Sequence, residues 1–303
     1  MIQSPLWLRR PFACIFNLVL LARTASAADV IDFETPKDFL QLPPGLTLGA
    51  CSAVSLNSKD EIYLFHRGKQ PILVFDKEGK FLRSWGDDQI GSAHGLRIDK
   101  EDNVWVTDVV NHRAFKFDPQ GKGLLALGTG QPGEGEDQFN KPTDIAFGPA
   151  GEFFISDGYG NSRVMKFSPN GGFIKMWGTL GTRAGEFNLP HSVIVDSKNR
   201  LLVGDRENSR IQVFDLDGKQ LAVWRGFAPY GLAFDPAGNL FVADGKINKV
   251  HLLDAAGKIK KSWGRKGPKP GQFDMPHMLA FDSAGNLYVA EVNGKRLQKF
   301  VRK

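Results

Sequence analysis

The chain has 303 residues, 42% of them apolar, with 39 basic and 33 acidic side chains and a formal charge of +6. This length and apolar content suffice for one large core, and so mild a charge, without a block of like sign, excludes an electrostatic stripe for nucleic acid. Two cysteines in all, Cys14 and Cys51, exclude a disulfide-built fold.

At the N-terminus, Arg9 and Arg10 precede an apolar run over residues 11–22, and Ala25-Ser26-Ala27 follows as a small-residue cleavage site. Positive, apolar and small in that order is a secretory signal, and the run is too short to span a membrane. Residues 1–27 are therefore expected to leave, and the mature chain to be exported, periplasmic or secreted, with no membrane span. Arg9-Arg10-Pro11-Phe12 also resembles a twin-arginine signal, with Leu8 where Ser or Thr is usual. Loss of Arg9, Arg10 and Arg23 lowers the charge to +3, 36 basic residues against 33 acidic. Cys51 then stands alone and reads as a small buried residue rather than a nucleophile.

Residues 28–303 repeat. A short strand rich in β-branched and aromatic residues, ending in a polar one, recurs at 61–66, 103–108, 152–157, 200–205, 239–244 and 286–291. Each follows a strand closing on a turn, at Asn57, Asp99, Gly148, Asp196, Asp235 and Asp282, spaced 42, 49, 48, 39 and 47 residues apart. A third strand follows, as at 113–118 and 210–215, and then a fourth ending in Trp85-Gly86, Leu127-Gly128, Trp177-Gly178 or Trp263-Gly264. Four short antiparallel strands per period of this size predict an all-β, six-bladed β-propeller. The linkers at 181–187 and 267–273 supply turn glycines and a Phe for packing between blades. The last repeat has only three strands, so a segment between Asp29 and Leu48, such as Phe39-Leu40-Gln41-Leu42, is expected to close the ring as its outer strand.

Aligning the repeats on their closing turns puts Ser52, His94, Thr143, His191, Tyr230 and His277 five residues earlier. Three of the six histidines share this position, in blades two, four and six, a third of a turn apart. The position begins the strand nearest the axis, so three imidazoles should converge in the channel mouth. That is the ligand set of a zinc site with an open position. His66, His112 and His251 lack the phase and read as surface or turn residues. The loops after the second strands share the mouth and carry Arg67, Tyr159 and Arg206. Two guanidinium forks beside a metal suit a carboxylate, and Tyr159 could deliver or accept a proton.

These blocks resemble the NHL-repeat propeller of the peptidyl-α-hydroxyglycine α-amidating lyase (peptidylamidoglycolate lyase) family. The likeness is carried by Phe65-His66-Arg67-Gly68, His94-Gly95-Leu96, Trp105-Val106-Thr107-Asp108 and Pro142-Thr143-Asp144. It continues through Ser156-Asp157-Gly158-Tyr159, Asn161-Ser162-Arg163, Pro190-His191-Ser192, Asp205-Arg206-Glu207-Asn208 and Phe273-Asp274-Met275-Pro276-His277. The resemblance implies His94, His191 and His277 as zinc ligands and Arg67, Tyr159 and Arg206 as catalytic residues. It implies cleavage of the C–N bond of a peptidyl- or acyl-α-hydroxyglycine to an amide and glyoxylate. Tyr159 would take the proton of an α-hydroxyl held on zinc, while the two arginines hold the carboxylate. The family also binds calcium, through carbonyls matching Val54 and Leu96 and an Asp after the third histidine. Here Met278 stands in that place, and a thioether is no hard oxygen donor, so the calcium set is incomplete. The family's disulfide positions hold Asn140 with Gly160 and Leu202 with Val213. The expected partner is a small anionic α-hydroxy-amide or peptide substrate, with no nucleic acid, and the expected state is a monomer. Three alternatives stay open: a non-catalytic NHL propeller binding a protein or other ligand on one face, a calcium-dependent lactonase-type propeller, and a former lyase that keeps metal without turnover.

Overall fold

The structure, a computed structural model, describes residues 1–2 and 33–303. The expected export signal over residues 1–27, Met1 and Ile2 apart, falls outside them. Among the described residues every regular element is a strand, and twenty-four strands form six four-stranded antiparallel sheets. Blade one holds β2 (Ala50–Leu56), β3 (Ile62–Arg67), β4 (Ile72–Phe75) and β5 (Phe81–Trp85). Blade two holds β6 (Ala93–Ile98), β7 (Val104–Asp108), β8 (Arg113–Phe117) and β9 (Gly123–Leu127). Blade three holds β10 (Asp144–Phe147), β11 (Phe153–Asp157), β12 (Arg163–Phe167) and β13 (Phe173–Trp177). Blade four holds β14 (Pro190–Val195), β15 (Arg200–Asp205), β16 (Arg210–Asp215) and β17 (Gln220–Arg225). Blade five holds β18 (Gly231–Phe234), β19 (Leu240–Asp244), β20 (Lys249–Leu253) and β21 (Ile259–Trp263).

Blade six supplies three strands of its own, β22 (Pro276–Phe281), β23 (Leu287–Glu291) and β24 (Arg296–Arg302), and its fourth is β1 (Phe33–Glu34). The ring is thus closed by an N-terminal strand, with Phe33 paired to Arg302 and Glu34 to Val301. The closing strand is not Phe39-Leu40-Gln41-Leu42. That segment makes a single bridge, Gln41 to Lys80, and packs Phe39 and Leu40 into the cluster between blades six and one. Pro43 and Pro44 follow it directly and offer no N–H to a ladder.

The core lies in the seams. One cluster joins Tyr63, Phe65 and Val74 of blade one to Leu96, Val106 and Phe117 of blade two. Similar clusters fill the seams from blade two to blade five. The linker aromatics Phe187 and Phe273 are buried, as their recurrence predicts, and so is Phe139 in the linker before blade three.

The polar repeats have two structural duties. At the closing turns, Asp99, Asp196 and Asp282 each accept backbone N–H groups from two and four residues on, at 2.8–3.1 Å. This is why a short carboxylate recurs there. In blades two to six the second strand ends in a buried acid, which reaches instead to the preceding inter-blade loop. Asp108, Asp157, Asp205, Asp244 and Glu291 accept the amides of Gly91, Asn140, Asn188, Ala228 and Asp274. In three blades an Arg completes the clasp: Arg163 on Asp157 at 3.1 Å, Arg210 on Asp205 at 2.6 Å and Arg296 on Glu291 at 2.7 Å.

Candidate metal centre

The in-phase position is where the first-strand ladders slip. The pairing shifts register between Cys51 and Ala53, Ala93 and Leu96, Pro190 and Ser192, and Pro276 and Leu279. Each interval brackets the in-phase residue. A bulge frees one residue from the ladder and re-aims its side chain, and in blades two, four and six that residue is His. Glycine permits the close passage beside it, since a Cβ on Gly95 would lie 2.4 Å from the Thr143 carbonyl oxygen. Leu189 and Met275, each two residues before a histidine, adopt left-handed backbone at φ 66° and 58°, where non-glycine residues are uncommon.

His94, His191 and His277 meet on the axis. Their ring centroids are 4.7–4.9 Å apart, and one ligand nitrogen from each lies within 4.8 Å of the others. All three side chains are buried. Nδ1 of His94 donates to the Thr143 carbonyl at 2.7 Å, that of His191 to Tyr230 at 2.7 Å and that of His277 to Ser52 at 2.6 Å. Every acceptor is the in-phase residue of the next blade, so the alternate positions Ser52, Thr143 and Tyr230 serve as carbonyl supports. The donation fixes the tautomer and leaves each Nε2 as a free base, the usual outer support of a ligating imidazole. Burial pushes all three pKa values down, that of His277 to about 3. Neighbouring histidines depress His94 and His191 further, and Arg67 and Arg206 depress His94 and His277. Three neutral, converging, pre-oriented Nε2 atoms fit a borderline divalent metal such as zinc.

The second-strand loops reach the same mouth. Tyr159 and Arg206 donate their backbone N–H groups to Lys141 and Leu189, at 3.4 and 3.1 Å, which ties each loop to the start of its blade. Tyr159 Oη lies 3.1 Å from His94 Nε2 and 3.3 Å from His191 Nε2. Arg206 Nη1 donates to Tyr159 Oη at 3.4 Å, while its Nε is held by Glu207 at 2.8 Å. Its guanidinium also stacks 4.7 Å over the Tyr230 ring. Arg67 donates through Nε to the carbonyl of Ala93, the residue before His94, at 3.0 Å. Sequence reasoning placed Tyr230 in phase but gave it no duty, and it missed Glu207. The phase itself was the available signal for Tyr230. Outside Tyr159, a groove of about 610 Å³ follows the seam of blades three and four, bounded by Tyr159, Asn161, Met176, Trp177, Leu180 and Leu189.

The other expected residues divide. Cys51 is buried and its thiol is pushed up to about 12 by burial, consistent with an inert side chain. His66 and His251 are buried rather than superficial. His66 accepts the Gly49 amide at 2.9 Å and meets the Gln70 carbonyl at 3.2 Å. His112 sits in a turn at φ 51°. Met278 is buried in an apolar cluster with Ala53 and Leu96. Leu96 shares this cluster and Val54 is buried in the neighbouring one between blades six and one, and with a thioether at position 278 where a carboxylate is needed this donor set does not fit calcium.

Comparison with known proteins agrees with this architecture. The NHL repeat family matches residues 139–167 and 187–214. The chain is 36% identical over 283 residues to mouse "Peptidyl-glycine alpha-amidating monooxygenase", a match covering 77% of this chain and 28% of the mouse protein. It is 33% identical to "Peptidyl-alpha-hydroxyglycine alpha-amidating lyase 1" of Drosophila melanogaster, covering 84% of this chain and 57% of that protein. It is 34% identical to human "NHL repeat-containing protein 3", covering 79% of this chain and 74% of the human one. The chain thus spans less than two thirds of the length of the amidating relatives it matches, under a third for the mouse protein. Among solved structures, a streptogramin B lyase superposes with a TM-score of 0.66 at 14% identity, covering 90% of this chain and 98% of that one, a likeness of fold.

Proposed function

This chain belongs to the NHL-repeat β-propeller family of the peptidyl-α-hydroxyglycine α-amidating lyases, and on that premise we propose that it is a zinc-dependent lyase cleaving an acyl- or peptidyl-α-hydroxyglycine to an amide and glyoxylate. The observation that carries the reading is the Nδ1-to-carbonyl set, which leaves three Nε2 atoms free beside Tyr159 and Arg206. Zinc at the three Nε2 atoms would supply Lewis acidity toward the substrate's α-hydroxyl oxygen. Everything else falls to side chains. Arg67 and Arg206 would hold the α-carboxylate, which favours a bidentate guanidinium partner. Tyr159 would take the hydroxyl proton as the C–O bond becomes a carbonyl and the C–N bond breaks. That proton must end on the departing amide nitrogen, so one group serving first as base and then as acid closes the balance. The reaction consumes no water and transfers no electrons to an acceptor. The groove beside Tyr159 offers room for the acyl or peptide part. A calcium requirement is not part of this proposal, because Met278 denies it a hard ligand.

A second reading, a non-catalytic NHL propeller that binds a ligand on one face, draws on the similarity to NHL repeat-containing protein 3. One assay separates the two: glyoxylate release from α-hydroxyhippurate by the zinc-loaded protein beside His191→Ala. Release that the substitution abolishes is expected. No release from a protein that holds zinc would favour the binding module.

A further inference from the structure

Further along the channel from the histidines, a charged side chain that the proposed reaction does not use crosses the axis. Arg97 lies on β6 three residues past His94, and the bulge between Ala93 and Leu96 lets both face the channel. Its guanidinium grips Asp144 of blade three twice, Nε to Oδ1 at 3.0 Å and Nη2 to Oδ2 at 2.6 Å. Nη1 and Nη2 both donate to the Leu232 carbonyl of blade five, the blade opposite, at 3.3 Å, and Nη2 reaches Ser192 Oγ of blade four at 3.5 Å. Ser192 Oγ and the Val193 amide each donate to Asp144 Oδ2 at 3.0 Å. The Asp144 side chain is fully buried and that of Arg97 is 14% exposed.

Each partner lies within two residues of one of the converging histidines or of a carbonyl that holds one. Asp144 follows Thr143, whose carbonyl accepts from His94 Nδ1. Ser192 follows His191, and Leu232 lies two residues past Tyr230, whose carbonyl accepts from His191 Nδ1. A planar fork bonded to three other blades thereby ties the spacing of blades two to five where His94 and His191 depend on it. A buried carboxylate and an inward-facing carbonyl on a channel axis demand a cation. Here the cation is covalently part of the chain, and Met278 removes the oxygen ligand that would help hold a separate hard ion.

We propose that Arg97 is a positioning residue of the metal centre: as a built-in cation on the axis it sets the separation of His94 and His191, and the chain accordingly takes one divalent ion, at the histidines, with none further down the channel. The inference rests on the metal reading above, and its test keeps the two apart. Arg97→Met alone would strand the Asp144 charge and is expected to unfold the protein. The decisive variant is Arg97→Met with Asp144→Asn, which removes both charges while the new carboxamide still offers an oxygen to the Val193 amide. It should fold, yet bind zinc about tenfold or more weakly, and its cobalt(II)-substituted visible spectrum should shift. Native zinc affinity with an unchanged cobalt spectrum would overturn the positioning role. If that variant is unfolded, Arg97→Lys carries the same test, since it keeps the charge and loses the fork: weakened zinc binding and a shifted spectrum support the role, and unchanged ones overturn it. Wild-type protein that takes up no zinc would sink the metal reading itself. A second, saturable calcium ion that raises the melting temperature of zinc-loaded protein would overturn the built-in cation.

Discussion

Tyr159 stands at the centre of the proposed chemistry because its hydroxyl alone, among the mouth residues described, meets two of the three histidines and an arginine. Tyr159→Phe removes one oxygen and keeps the ring edge against His94. Zinc content should stay at the wild-type level while kcat falls by about 10²–10⁴-fold, the usual worth of a positioned acid–base group. A variant that kept its turnover would free Tyr159 of the role. His66 shows a different use of the same residue type as the converging trio. Burial holds its pKa below the ordinary value. The unfolded chain titrates at about 6.5, so well above that pH both states are neutral. As pH falls below it, the unfolded state gains a proton the folded state refuses, and His66 costs up to about 1.4 kcal/mol of stability per pH unit until the folded pKa is reached. His66→Gln can keep the bonds to Gly49 and Gln70 without titrating. Urea melts at about pH 7 and about pH 5.5 should show the variant losing less stability on acidification, and an equal loss would count against the account. The histidine trio was legible because phase in a repeat maps directly to angle around an axis. His66 was not, because its burial depends on the Gly49 and Gln70 backbone, which no spacing encodes.

At the scale of elements, the site depends on seams as much as on strands. Tyr159 belongs to blade three and His191 to blade four, and Phe187 lies between them in the linker, fully buried with its ring centroid 5.8 Å from Phe214. A Cβ on Gly178 would strike that ring at 2.5 Å, so blade three ends against Phe187 without slack. Phe187→Ala should cost about 3–5 kcal/mol of unfolding free energy by urea titration. A loss below about 1 kcal/mol would mean that the seam collapses freely over the gap. The sequence announces these aromatics through their recurrence in Gly-rich linkers. The bulges that aim the histidines have no comparable mark, since an extra residue in one strand shows only against its partner. The Arg clasps were equally hidden. Arg163, Arg210 and Arg296 follow their acids by five or six residues across a tight turn, a spacing that reads as ordinary surface charge until the sheet pairs Asp157 with Arg163, Asp205 with Arg210 and Glu291 with Arg296.

The whole ring closes where the two ends of the propeller meet. β1 contributes two residues, and Phe33 sets its ring 5.8 Å from Trp263 and 6.1 Å from Phe300, bridging blades five and six. Without it β24 would be an open edge carrying Leu297 and Phe300, free to pair with another chain. The closure also bears on the proposed metal site, because His277 of blade six donates to the Ser52 carbonyl of blade one, a bond spanning 225 residues of sequence. The other two histidines lean across seams that the chain itself crosses as a linker. The His277 support crosses the one seam that depends on pairing between the ends of the ring. Loosening that seam should therefore weaken the proposed metal centre through one histidine in three. Phe33→Asp places a charge between Trp263 and Phe300 and leaves the three converging histidines untouched. It should lower the melting temperature, promote association at higher protein concentration, and reduce zinc affinity in the same protein. Addition of zinc should raise its melting temperature by less than in the wild type, because ligand stabilisation grows with the ratio of metal to dissociation constant. A variant that melts earlier yet binds zinc like the wild type would show that the seam between blades six and one holds His277 without help from β1.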